Sequence, residues 1–190
     1  MLDRLIGAEI RSDARGGRCL VWYAAVFDRW SELTRGHYEI FDRRAFDKVL
    51  ASQTPVRALI NHNSDLQLRS TADDYPARLV ADSYGLRVEV PLIGSPHEAR
   101  ACQMIRDHEV RGGSLAMRVG RDRWQVVPTR TLDHDRLCKP GALLRTIVEV
   151  EHLAEVTLAT RPVYRTTALT PVSDPITREM GERLRIVEAA

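Results

Sequence analysis

The chain has 190 residues, 44% hydrophobic and 28% charged, enough for one domain with its own core. Its 28 Lys and Arg against 26 Asp and Glu leave a net charge of +2, which is too balanced for a nucleic-acid surface. No apolar run approaches the roughly 18 residues of a membrane span, and Met1 to Gly7 lacks the apolar stretch of a signal peptide, so export is not expected.

Leu20 to Phe27 follows a Gly16-Gly17 turn signal and is rich in β-branched and aromatic residues, which predicts a strand. Asp42 to Leu50 reads as a short helix capped by Asp42, with Phe46, Val49 and Leu50 on one face. Val56 to Asn61 reads as a strand, and the polar stretch from Asn61 to Tyr75 as a loop. In Tyr84 to Val90, Leu86, Val88 and Val90 alternate with Arg87 and Glu89, the pattern of a half-buried strand. Ser95-Pro96-His97-Glu98 is a capping box with proline at the first helical position. It predicts a helix to about His108, with Ala101, Met104, Ile105 and His108 on one face.

Gly112-Gly113 is expected to break the chain before a strand from Ser114. Trp124 to Val127 and Leu143 to Ala159 are further strands, the last broken near Glu151-His152 because of its length. These elements predict a β-rich α+β domain: a closed or nearly closed antiparallel β-barrel with a few flanking helices. Residues 1–170 would form the single domain. Residues 171–190, opening on Pro171 and Pro175, would form a tail or a short helix.

The cysteines Cys19, Cys102 and Cys138 are too few and too scattered for a disulfide framework. His134 and Cys138, beside Asp133 and Asp135, are short of ligands for a metal site. No metal and no cofactor are expected.

Three residues suit hydrolysis. Ser114 should lie on the polar face of its strand with Ala116 and Arg118, facing outward or into a cleft, while Leu115, Met117 and Val119 face the core. Gly112 and Gly113 would bring backbone N–H groups close to a substrate. His62 ends an apolar strand and opens a polar loop. Glu155 shares a strand face with Thr157, opposite Val156 and Leu158. A serine, a base and an acid are the parts of a triad. Glu149, Glu151 and His152 rival Glu155 for the third place, and Arg161 or Arg165 could steady an oxyanion. Each residue also has a plainer use: a turn serine, a strand-end histidine, a solvated glutamate, surface arginines.

Six segments, in order, resemble the prohead maturation proteases of tailed phages, a family related in fold to the herpesvirus assembly protease, assemblin. They are Tyr23 to Phe27; Glu39 to Phe41 leading to Ala45 to Asp47; Val56 to Asn63; Tyr84 to Val90; Gly112 to Val119; and Leu153 to Tyr164. The resemblance implies a serine endopeptidase with His62 as base, Ser114 as nucleophile and Glu155 as third member. It implies action inside the assembling prohead in the host cytoplasm. The implied substrates are the scaffold, or a scaffold-like part of the capsid protein, and the enzyme's own tail; self-association fits as well. Two positions depart from the family pattern. Leu68-Arg69-Ser70 lacks the usual glycine, and Gly113 stands where a larger residue is common. An inactive capsid-assembly protein of the same fold is the alternative. A nucleic-acid-binding β-barrel is a further one, disfavoured by the charge balance.

Overall fold

The computed structural model describes residues 8–12, 17–34, 36–126 and 141–162. Ten strands and two helices follow in chain order: β1 (Ala8–Ser12), β2 (Arg18–Val26), β3 (Ser31–Thr34), β4 (His37–Phe41), α1 (Asp47–Ala51), β5 (Arg57–Ile60), β6 (Asn63–Ser70), β7 (Arg78–Ala81), β8 (Gly85–Pro91), α2 (Pro96–Arg106), β9 (Gly112–Val126) and β10 (Leu143–Ala159). The expected tail, 171–190, and the Asp133 to Cys138 cluster lie outside the described residues.

The strands form two sheets. One has the order β1-β2-β8-β7. The other is centred on β10. Along one edge β10 pairs antiparallel with β9 from Leu143 to Ala159. Along its other edge it pairs in parallel, first with β4 (Leu143–Ile147) and then with β5 (Glu155–Leu158). The sheet is therefore mixed, which corrects the antiparallel expectation. The β4–α1–β5 segment leaves β10, turns through a helix and rejoins the same edge further along.

A single parallel bridge, Phe27 to Phe41, ties the end of β2 to β4. Phe27, Phe41 and Phe46 stack around it, with ring centroids 6.1 Å and 5.3 Å apart. The β-rich, helix-poor expectation stands. Neither sheet returns on itself among the described residues, so the expected barrel closure is not seen.

Alternation builds the core. Leu86, Val88 and Val90 of β8 are fully buried, while Arg87 and Glu89 stay half-exposed and bond each other at 2.6 Å. Leu86, Val88 and Val90 share one core with Leu20 and Trp22 and with Leu115, Ile147, Leu153, Val156 and Leu158 of the second sheet. Each such side chain contributes about 1.5–3 kcal/mol by leaving water.

Three local expectations change. The helix predicted from Asp42 begins only at Asp47, with Phe46 as an uncapped N-cap. Asp42 is still held by β10 through its N–H to Ile147 O (2.9 Å), and Ala45 O accepts the Val150 N–H (2.7 Å). Ala45 N–H to Asp42 O (3.0 Å) and Asp47 N–H to Arg44 O (3.1 Å) close residues 42–47 into turns, and the two bonds to β10 anchor them. The polar stretch read as a loop contains β6, an edge strand whose outward residues need not be apolar. The break expected at Glu151-His152 is instead a series of register shifts between Ile147 and Glu155, so β10 bends without ending.

Helix α2 keeps its predicted cap. Ser95 Oγ accepts the Glu98 N–H (3.2 Å), and Glu98 Oε2 accepts the N–H groups of Ile93, Gly94 and Ser95 at 2.9, 2.8 and 3.0 Å. The helix ends at Arg106, short of His108, which sits at φ 56°. The other oxygen of Glu98 pairs with Arg69, the residue in the departing Leu68-Arg69-Ser70 step. Both side chains are largely buried. Glu98→Ala should therefore cost about 3–5 kcal/mol in chemical denaturation, because it strands a buried guanidinium and three N–H donors.

Candidate active site

The site is built around a tight hairpin. Ile60 of β5 pairs with Asn63 of β6, which leaves Asn61 and His62 as a two-residue turn. Their φ angles are 52° and 58°, positive at both positions as a type I′ turn requires. Asparagine suits the first place. Histidine stands where glycine is preferred, at a cost of about 1–2 kcal/mol. Bonds to β10 hold the turn. Asn61 N–H donates to Leu158 O (2.8 Å), His62 N–H donates to Thr157 Oγ1 (3.1 Å), and Asn61 Oδ1 accepts from Thr160 N–H (2.8 Å) and Thr160 Oγ1 (3.2 Å).

So placed, the His62 ring reaches the Glu155 carboxylate through Nδ1. An ionised carboxylate only accepts, so in this pair Nδ1 is the donor, and in the neutral ring that tautomer puts the lone pair on Nε2. The Glu155 side chain is buried, while 40% of the His62 side chain is exposed. Arg57 Nη2 lies 4.0 Å from the second Glu155 oxygen. The rival carboxylates are engaged elsewhere: Glu149 with Lys48 (2.7 Å) and Glu151 with Arg118 (2.8 Å). The Lys48 bond also holds the Glu149 carboxyl below its ordinary pKa. His152 lies on β10 opposite Arg118.

Ser114 lies on β9 directly opposite Thr157 of β10. Its residue is 0% exposed, and Oγ has no hydrogen-bond partner. The expectation of an outward or cleft-facing serine is thereby corrected. Gly112 to Leu115 are all buried, so both faces of β9 are covered at its start. The structure thus joins His62 to Glu155 and leaves the Ser114 hydroxyl unbonded, one ladder step from the threonine that holds His62. A buried hydroxyl without a partner is costly and calls for an explanation.

The glycines before Ser114 do not break the chain. They are the first residues of β9, paired with Ala159 and Leu158. A Cβ on Gly113 would fall 2.0 Å from Tyr23 O and 2.8 Å from Trp22 Cδ1. Glycine is needed there because β2 passes directly over the strand. Arg161 is exposed just beyond β10. Arg165 lies outside the described residues. Thr157, Asn61 and Arg57 were not singled out as functional from the sequence, although the shared face of Glu155 and Thr157 was legible.

No curated protein matches the chain. The family model for the caudovirus prohead serine protease matches residues 7–182, a span that includes His62, Ser114 and Glu155. With nearly its whole length matched, the chain belongs to the caudovirus prohead serine protease family, the serine peptidases of phage capsid maturation.

Proposed function

We propose that the chain is a serine endopeptidase that works through Ser114, His62 and Glu155. What supports this most is the His62–Glu155 bond, made on the strand whose Thr157 pairs with Ser114, a buried serine whose hydroxyl has no hydrogen-bond partner. In the proposed cycle His62 Nε2 removes the Ser114 proton as Oγ attacks a peptide carbonyl carbon. The tetrahedral intermediate collapses, the C–N bond breaks, and His62 returns the proton to the leaving amine. Water, deprotonated by His62, then hydrolyses the acyl-enzyme ester and frees Ser114. Glu155 holds the ring in the working tautomer and stabilises its charged form. Backbone N–H groups near Gly112 to Ser114, or Arg161, are the candidate oxyanion donors. The proposed substrates are the scaffold, or a scaffold-like part of the capsid protein, and the enzyme's own segment after Thr170. Because Ser114 is fully buried, substrate reaches Oγ only after local movement.

That same burial favours one second reading, an assembly protein of this fold that does not cut. Replacing Ser114 by alanine decides between them. Co-expressed with its capsid and scaffold proteins, Ser114→Ala should leave the scaffold intact where the wild type cleaves it. Thermal denaturation should show the variant equal in stability or about 1 kcal/mol more stable, because an unpaired buried hydroxyl is removed. Unchanged cleavage by Ser114→Ala would refute the protease assignment.

A further inference from the structure

We propose that Thr157 is a positioning residue for His62, acting through the His62 backbone; this rests on the triad reading above. His62 stands at the tip of a two-residue turn in a backbone conformation that disfavours a side chain. Its ring is partly exposed, so packing alone does not fix it. The Thr157 hydroxyl is fully buried and has one use for each of its functions. It accepts the His62 N–H at 3.1 Å and donates to Leu158 O at 3.3 Å. Next to this bond Leu158 O takes the Asn61 N–H, so consecutive β10 residues fasten both turn residues.

The rest of the site is measured from the same short segment. Glu155, two residues earlier on the same strand face, holds the ring. Ser114 is paired to residue 157 itself across the ladder, which places the two Cβ atoms roughly 4.5–5.5 Å apart. Base, acid and nucleophile are therefore all referenced to Glu155–Thr157. Without the Thr157 hydroxyl, the His62 N–H loses its acceptor and the turn can relax toward negative φ. The ring would then swing away from Glu155. Displacements of about 1 Å in a reacting group can cost about a hundredfold in rate.

The test needs no knowledge of the natural substrate. A fluorophosphonate probe is applied to the wild type, Thr157→Val, Thr157→Ser and Ser114→Ala, and the rate of covalent labelling is measured. Circular dichroism and thermal midpoints are recorded in parallel. Thr157→Val should react about ten- to a hundredfold more slowly at saturating probe, with the half-saturating concentration unchanged. Thr157→Ser, which restores the hydroxyl, should recover most of the rate. Labelling of Thr157→Val at the wild-type rate, or a serine variant as slow as the valine one, overturns the proposal. Wild-type protein that fails to label, or Ser114→Ala that labels as fast, sinks the triad reading instead. Should Thr157→Val not fold, amide exchange of His62 in the wild type decides. Protection of that N–H supports the bond, and exchange at the rate of a free turn amide overturns it.

Discussion

Glu155→Gln is expected to lower peptide cleavage about 10³–10⁴-fold while the protein stays folded. The glutamate is buried beneath a partly exposed histidine and bonds its Nδ1; an ionised carboxylate can only accept there. Glutamine has the same shape, but its amide nitrogen can donate to Nδ1 and so favour the opposite tautomer. Nε2 would then carry the proton and could not take one from Ser114. The imidazolium formed during attack would also lose its anionic partner. Arg57, 4.0 Å from the same carboxylate, would lose the nearest negative charge. Cleavage assays with thermal denaturation in parallel separate the loss of chemistry from a loss of fold. A variant retaining more than about a tenth of wild-type activity would remove Glu155 from the triad.

Gly113→Ala is expected to destabilise the fold by about 3 kcal/mol or more, measured by urea denaturation. The added methyl would lie 2.0 Å from a backbone carbonyl of β2, far inside contact distance. No rotamer change relieves that clash, so β2 and β9 must separate where the two sheets meet. The strand that carries Ser114 would shift with them, and activity should fall too. Gly120→Ala is the control on the same strand. Its nearest neighbours would be the side-chain atoms Glu151 Cβ at 3.0 Å and Glu149 Oε1 at 3.1 Å. Glu149 Oε1 can rotate away and Glu151 Cβ has only to give by a few tenths of an ångström, so a cost well below that of Gly113→Ala, about 1 kcal/mol, is expected. Equal costs at the two glycines would contradict the close approach of β2 to β9.

What was legible in the sequence was local. The alternation over Leu86–Val90 and the Ser95–Glu98 capping box each depend on residues within one turn or one strand, and both hold. The parallel pairing of β10 with β4 and β5 joins segments about a hundred residues apart. No short-range pattern announces it. The hairpin at Asn61-His62 was hidden because its second residue is histidine rather than glycine, and β6 because an edge strand tolerates polar residues. In the site, residue types and strand faces pointed to His62, Ser114 and Glu155, and the family resemblance selected among rivals. The burial of Ser114 was not legible, because what covers a strand face is tertiary. Gly113 was read as a substrate-facing glycine, whereas its lack of a side chain makes room for Tyr23 and Trp22.

The central assignment is that Ser114 is a nucleophile driven by His62. Its most direct test is to treat the wild type and His62→Ala with a fluorophosphonate and locate the adduct by peptide mass spectrometry. A single adduct on Ser114, slowed about a thousandfold or more in His62→Ala, is the expected result. An adduct on a different residue, or labelling of Ser114 that proceeds as fast without His62, would contradict it.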